Sequence, residues 1–207
     1  MSYLDERELK AFNRIFAAVQ RVKLNLVAHD KIYEAATSHP SVDFIQLVRR
    51  ALYNDLISQF INVLDNKEAS DRKAHSFWWL YTKKKSDIDS FSFEQNVEFT
   101  LVDNVSNKLK IIRNGTHHHF SYQYAGNYPQ VWKDASLNGD DLINAVNIVW
   151  EILSFLNEKQ TGDKLEFVDY RGEDAKEATK FVSSLISREQ QIEYLEKRLR
   201  DLRTSKV

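Results

Sequence analysis

An all-α fold, a bundle of four or more helices with a long C-terminal amphipathic helix, is predicted by three observations on this sequence. Glycine and proline are scarce, five and two among 207 residues, whereas strand-rich folds need frequent turn residues. Apolar residues recur three and four apart along most of the chain, the period of a buried helical stripe. At 43% hydrophobic and 12% aromatic residues, a substantial core can be buried. The length suits one compact domain with an appendage, or two small domains.

The first helix is expected from about Leu4 to the Tyr33 region, with Phe12, Ile15, Phe16, Val19, Val22 and Leu26 on one stripe. Pro40 in "TSHPS" stops it, because proline disfavours helix in the residue before it. Ser41 is the expected N-cap of the second helix, whose stripe runs from Ile45 through Val48, Leu52, Leu56 and Phe60 to Val63. In "HSFWWLYTKKKSDIDS", Phe77, Trp78, Leu80 and Tyr81 suggest a short helix over the bundle, with Lys83, Lys84 and Lys85 facing water. The lysine run reads as a solvated helix end and the Trp78–Trp79 pair as a core plug. A third helix is placed after Ser92 and Gln95, which fit a capping box. Its stripe is Val97, Leu101, Val105, Leu109 and Ile112. "SYQYAGNYPQVWKDASLNG" reads as a polar and aromatic loop. Asp140 or Asp141 then opens a fourth helix, central because Leu142, Ile143, Val146, Val149, Trp150, Leu153 and Leu156 leave little of it polar.

The expected organisation is a bundle over residues 1–157, a linker over 158–173 with Leu165–Tyr170 extended, and a C-terminal helix over 174–207. There Phe181, Leu185, Arg188, Ile192, Leu195, Leu199 and Leu202 alternate by four and three, a heptad pattern. Arg188 occupies a seam position, and in a parallel dimer Arg198 faces Arg203 of the partner, a like-charge contact. Packing on its own bundle or an antiparallel partner is at least as consistent with the pattern.

Composition narrows the chemistry. The absence of cysteine removes disulfides, thiolate catalysis and cysteine-ligated zinc. "MSYLDERELK" is too charged for a secretory signal, and no apolar run approaches ~18 residues. A cytoplasmic protein without a membrane segment is therefore expected. A formal net charge of −1 argues against a general duplex-DNA coat and leaves room only for a local nucleic-acid contact. No Gly-rich phosphate loop, nucleophile elbow or Rossmann fingerprint is present.

"KLKIIRNGTHHHFSYQYAG" carries the candidate chemistry. On one account Arg113 complements the negative end of a helix dipole, Gly115 supplies a left-handed terminus, and the histidines are loop residues. On the other, histidine exchanges a proton near neutral pH and arginine offers donors shaped for phosphate. Metal-free RNA cleavage needs a base for the ribose 2′-hydroxyl, an acid for the departing oxygen and a cation for the charge on phosphorus. A two-fold dimer would supply two histidines and two arginines to one groove.

Arg113-Asn114-Gly115-Thr116-His117-His118 resembles the Arg-polar-x-x-x-His signature of HEPN proteins, the higher-eukaryote and prokaryote nucleotide-binding superfamily. "ALYNDLISQFINVLD", Ala51 to Asp65, resembles the helix preceding that motif in the abortive-infection U-type branch. The resemblance spans roughly Leu4 to Leu156. It implies an all-α homodimer that cleaves RNA without a metal or other cofactor, in anti-phage defence or toxin–antitoxin growth arrest, with an antitoxin protein as a further partner. Position by position, it implies Arg113 as the phosphate-stabilising cation, Asn114 as the orienting residue and His118 as the acid–base. His117, His119 and Tyr122 then become substrate contacts, with Tyr122 and Tyr124 able to stack on bases. Gly115 stands where a helix-compatible residue is usual, and His117 where a small one is. They point to the alternative of a non-catalytic RNA-, nucleotide- or protein-binding module. A metal held by His117 and His119 lacks a spaced set of further ligands, so no metal site is expected. His29, His39 and His75 read as capping or surface residues.

Overall fold

The computed structural model describes residues 2–36, 43–64, 76–117, 128–184, 192, 193 and 196. Every regular element among them is helical: α1 (Glu6–Ala36), α2 (Asp43–Leu64), α3 (Phe77–Lys83), α4 (Lys85–Glu94), α5 (Phe99–Ile112) with a π-helical turn at Arg113–His117, α6 (Tyr128–Ala135) and α7 (Gly139–Thr161). A further helix, α8, covers residues 173–184. The contacts group into two compact units, one of Met1–Leu24 with Asn54–Asp169, the other of Asn25–Tyr53 with Tyr170–Val207.

In the first unit α5 packs on α7 and α6, and α4 packs on α7. As the sequence predicts for a central helix, α7 buries Leu142, Val146, Val149, Trp150, Leu153 and Leu156; Ala145 and Ile152 widen the stripe, and Ile143 is half-buried. Its N-cap is not Asp140 or Asp141 but Asn138, whose side-chain oxygen accepts the Asp140 N–H at 3.0 Å. The two aspartates occupy the first turn, where negative charge suits the dipole. Asn138→Ala is expected to lower stability by about 1 kcal/mol, measured by denaturant titration.

The first helix starts with a capping box that the apolar periodicity does not mark. The Glu8 N–H donates to Asp5 Oδ1 at 2.8 Å and the Asp5 N–H donates to Glu8 Oε2 at 2.9 Å. Leu4 ahead of it is buried, and its N–H donates to Gln160 Oε1 at 2.7 Å. Lys84 is corrected by this arrangement. It does not face water: its side chain is 16% exposed, ion-paired with Glu8 at 3.0 Å and donating to the Tyr3 carbonyl at 2.8 Å. The Tyr3 hydroxyl donates to Asp87 at 2.6 Å. Burial, then the Asp87 carboxylate, push the Tyr3 hydroxyl pKa well above its ordinary value. Because the folded pKa is the higher one, this stabilisation is complete below about pH 10 and is lost as pH rises toward the folded value. Tyr3→Phe should cost about 0.5–1 kcal/mol near neutrality and flatten the alkaline decline in a pH series of melting curves.

The aromatic connector forms α3, as expected. Ser76 accepts the Trp79 N–H at 3.3 Å as N-cap, and Phe77, Trp78 and Leu80 are buried. Phe77, Trp78, Tyr81 and Phe99 make a cluster with ring centroids 4.8 to 6.0 Å apart, several edge-to-face. The expected capping box at Ser92 and Gln95 is absent. Ser92 lies inside α4 with its hydroxyl buried and making no hydrogen bond among the described residues. What stands here is a helix end: the Val97 N–H reaches Ser92 O at 2.8 Å and the Asn96 N–H reaches Phe93 O at 3.3 Å. Asn96 takes φ 53°. That is a Schellman termination with asparagine in the left-handed position, and α5 begins only at Phe99. The loop reading around residues 121–139 is corrected in part, since α6 occupies Tyr128–Ala135 and buries Val131 and Ala135. Ser41, Pro40 and the segment after Leu64 lie outside the described residues.

In the second unit Ile32 and Ile45 pack with Val48, Leu52, Ala175 and Val182. Gly172 takes φ 69°, and a Cβ there would lie 2.9 Å from Lys31 Cγ, 3.1 Å from Val27 Cγ1 and 3.3 Å from the Val27 carbonyl. Backbone conformation and space both demand glycine. Gly172→Ala should destabilise the protein by about 1–3 kcal/mol, with hydrogen exchange rising first in residues 25–53. In α8 the buried face is Thr179 and Ser183, each 2% exposed. Phe181, the first residue of the predicted seam, is 63% exposed. The heptad phase extrapolated from the downstream leucines is thus not the phase that packs within this unit. Leu185, Arg188, Leu195, Leu199 and Leu202 lie outside the described residues.

Candidate functional site

Helix α5 sets the position of the motif. Its inward stripe is Val102, Val105, Leu109 and Ile112, a spacing that holds α5 on α7 and fixes the direction in which the chain leaves Ile112. The helix does not stop there. Arg113 keeps right-handed angles (φ −53°, ψ −50°) and its N–H donates to the Leu109 and Lys110 carbonyls. The next residues widen into a π-helical turn ending at His117. This corrects the expectation of a glycine stop. Gly115 is buried within the turn, and the positive-φ glycines among the described residues are Gly162 and Gly172. The Thr116 hydroxyl donates to the Ile112 carbonyl at 2.7 Å, occupying an acceptor that a regular helix gives to a backbone N–H. Helix α6 packs against both α5 and the π-turn. Single π-turns recur at functional sites because they displace side chains from the helical register.

Two of the predicted site residues are brought together. Arg113 is half-buried and Asn114 exposed, and Arg113 Nε donates to Asn114 Oδ1 at 3.1 Å. This bond engages one edge of the guanidinium plane. His117 closes the turn. His118, His119, Tyr122 and Tyr124 lie outside the described residues, so the Arg113–Asn114 pair is the placed part of the candidate centre.

The solvent side of α5 leads into the pair. Thr100, Asn104, Asn107, Ile111 and Asn114 are all exposed and share one face at spacings of four and three. The row itself carries no charge, but exposed Lys110 and half-buried Asp103 flank it. Asparagine is a poor helix former, so this neutral amide row has no rationale in α5 stability. A search for apolar periodicity overlooks it; the exposed-face pattern N-x-x-N-x-x-x-I-x-x-N was the available signal.

Other chemistry-bearing residues are accounted for by packing. Lys23 lies over the Trp150 and Phe167 rings at 5.1 and 5.2 Å and donates to Asn147 Oδ1 at 3.1 Å. Burial lowers its pKa. His29 sits within α1 rather than at a helix end, its Nδ1 3.6 Å from Asp30 and its ring 6.1 Å from that of Tyr53. His39 and His75 lie outside the described residues. Among the described residues no three His, Cys, Asp or Glu side chains gather in a way that could hold a metal ion, and no helix is long and apolar enough to cross a membrane.

No family model matches the sequence, and comparison with curated proteins and with solved structures yields no match.

Proposed function

We propose that the chain is a metal-independent endoribonuclease of the HEPN type, acting in cellular defence or toxin–antitoxin growth arrest, with its active site at a homodimer interface. The observation that carries this is the Arg113–Asn114 pair, held by a 3.1 Å hydrogen bond on the π-turn that ends α5. A guanidinium is planar and its fork of donors matches the non-bridging oxygens of a phosphodiester. His118, next in the chain after the turn, takes the ribose 2′-hydroxyl proton; the copy from the second protomer protonates the 5′-oxygen that leaves. The 2′-oxygen bonds to phosphorus as the bond to that 5′-oxygen breaks, giving a 2′,3′-cyclic phosphate and a 5′-hydroxyl with no co-reactant. The uncharged row Asn104, Asn107, Ile111 and Asn114 on α5 is a surface on which a two-fold contact can be built, with Lys110 at its edge.

The purified protein should cleave single-stranded RNA in excess EDTA and leave cyclic phosphate ends, with its mass in solution that of a dimer. Buried Gly115, at a position where the family uses a larger residue, favours a second reading: the same surface binds RNA or a protein such as an antitoxin without turnover. RNA binding without cleavage at any protein concentration would select that reading over the nuclease.

A further inference from the structure

A cleft of about 260 Å³ lies between α1 and α2 in the first unit, on residues that play no part in the motif. Its accessible apolar lining is exposed Ala17 and half-buried Ala18, whose small side chains leave the space that larger residues would fill, backed by Ile15 and Val63, each 1% exposed. Its rim is made of donors: Arg14, Arg21, Gln59 and Asn62. Arg21 is immobilised by a bidentate pair with Asp55, Nε to Oδ2 at 2.7 Å and Nη2 to Oδ1 at 3.1 Å. Gln59 Nε2 reaches the same carboxylate at 3.4 Å. Arg14 has no acidic partner among the described residues. It lies seven residues before Arg21 on the same face, about 10 Å along the axis, a gap that two arginine side chains can close from opposite ends.

We infer that this cleft is a binding site for a phosphate monoester, its phosphate held by Arg14 and Arg21 and its organic part laid against Ala17 and Ala18. Beyond the bonds to Asp55, the Arg14 guanidinium, the Nη1 group of Arg21 and the Asn62 amide supply donors that suit three phosphate oxygens. Asp55 offsets one of the two positive charges and leaves the cleft with a net positive field, which rejects a cationic ligand and favours an anion. The volume falls just below the range of about 300–1,000 Å³ usual for drug-sized ligands, so the occupant is a small one. The same chemistry arises from a free phosphorylated metabolite or from the 5′-phosphate end of an RNA strand.

Isothermal titration of the full chain decides the matter with four probes: glycerol 3-phosphate, glycerol, and a uridine dinucleotide with and without a 5′-phosphate. Saturable binding of the phosphorylated member of each pair, at least tenfold tighter than its unphosphorylated form, is the expected result. Arg14→Ala should weaken it at least tenfold. Ala17→Leu, a substitution at an exposed position that helices tolerate, should abolish it by filling the cleft. Lys10→Ala, outside the cleft, should leave it unchanged. A dinucleotide that binds at least tenfold more tightly than glycerol 3-phosphate assigns the site to RNA ends; similar affinities assign it to a free phosphomonoester. If neither phosphorylated probe binds, or if either cleft variant keeps the parent affinity, the site is overturned. Arg113→Ala should leave the glycerol 3-phosphate titration unaltered, so loss of RNA cleavage and loss of phosphate binding are separate results.

Discussion

Arg113→Ala is expected to reduce RNA cleavage by about 10²–10³-fold, the usual consequence of removing one donor that faces charge developing in a transition state. Folding should survive. Arg113 is only half-buried, and α5 is held by Val102, Val105, Leu109 and Ile112. His118→Ala should cost about 10²–10⁴-fold, the range of general acid–base assistance. Asn114→Ala should cost less, since it leaves the cation in place and removes the bond that orients it. The measurement is cleavage of a labelled single-stranded RNA in EDTA, with melting temperatures recorded alongside. In a shared two-fold centre, mixing Arg113→Ala with His118→Ala protomers restores one arginine and one histidine to the groove; partial recovery of activity is the expected sign. Undiminished cleavage in both single variants would remove the nuclease assignment.

Phe77→Ala should lower stability by about 3–5 kcal/mol, the range for truncating a buried aromatic to alanine. Phe77 is 1% exposed and lies 5.5 Å from the Trp78 ring and 6.0 Å from the Phe99 ring. Removing it leaves a void beneath α3 and takes an edge-to-face partner from Trp78, whose indole N–H donates to Ser106 at 3.2 Å. Phe93, in the next helix, is 89% exposed. Phe93→Ala should change stability by no more than about 0.5 kcal/mol. Urea unfolding of the pair tests whether the aromatic connector is part of the core; similar small effects in both would show that it is not.

The long helices were legible because their signals repeat. The stripe of α7 holds from Leu142 to Leu156, and that of α2 takes in Leu56, Phe60 and Val63, although Ile57, Ile61 and Leu64 beside them are buried as well. Helix ends were much less legible. Ser92 and Gln95 satisfy the capping-box pattern, yet the local geometry is a Schellman end built on Asn96 at φ 53°. A serine followed three residues later by glutamine occurs inside helices too, and only the hydrogen bonds distinguish the cases. The capping box at Asp5 and Glu8 precedes the first apolar position of the stripe, so helical periodicity does not mark it. The lysine run is a different case: one of three consecutive lysines, Lys84, holds its ammonium over the Tyr3 ring and pairs with Glu8.

The site divides along the same line. Residue order alone determined that an arginine, an asparagine and histidines follow a helix with a buried stripe, because side-chain type and helical period are local properties. Whether Gly115 would end that helix or sit within it was decided by α6 packing on the turn and by Thr116 bonding to Ile112 O. The cleft between α1 and α2 was equally a tertiary outcome. Arg14, Arg21, Gln59 and Asn62 come from two helices separated along the chain, and they share a rim because burial of Ile15 and Val63 draws those helices together.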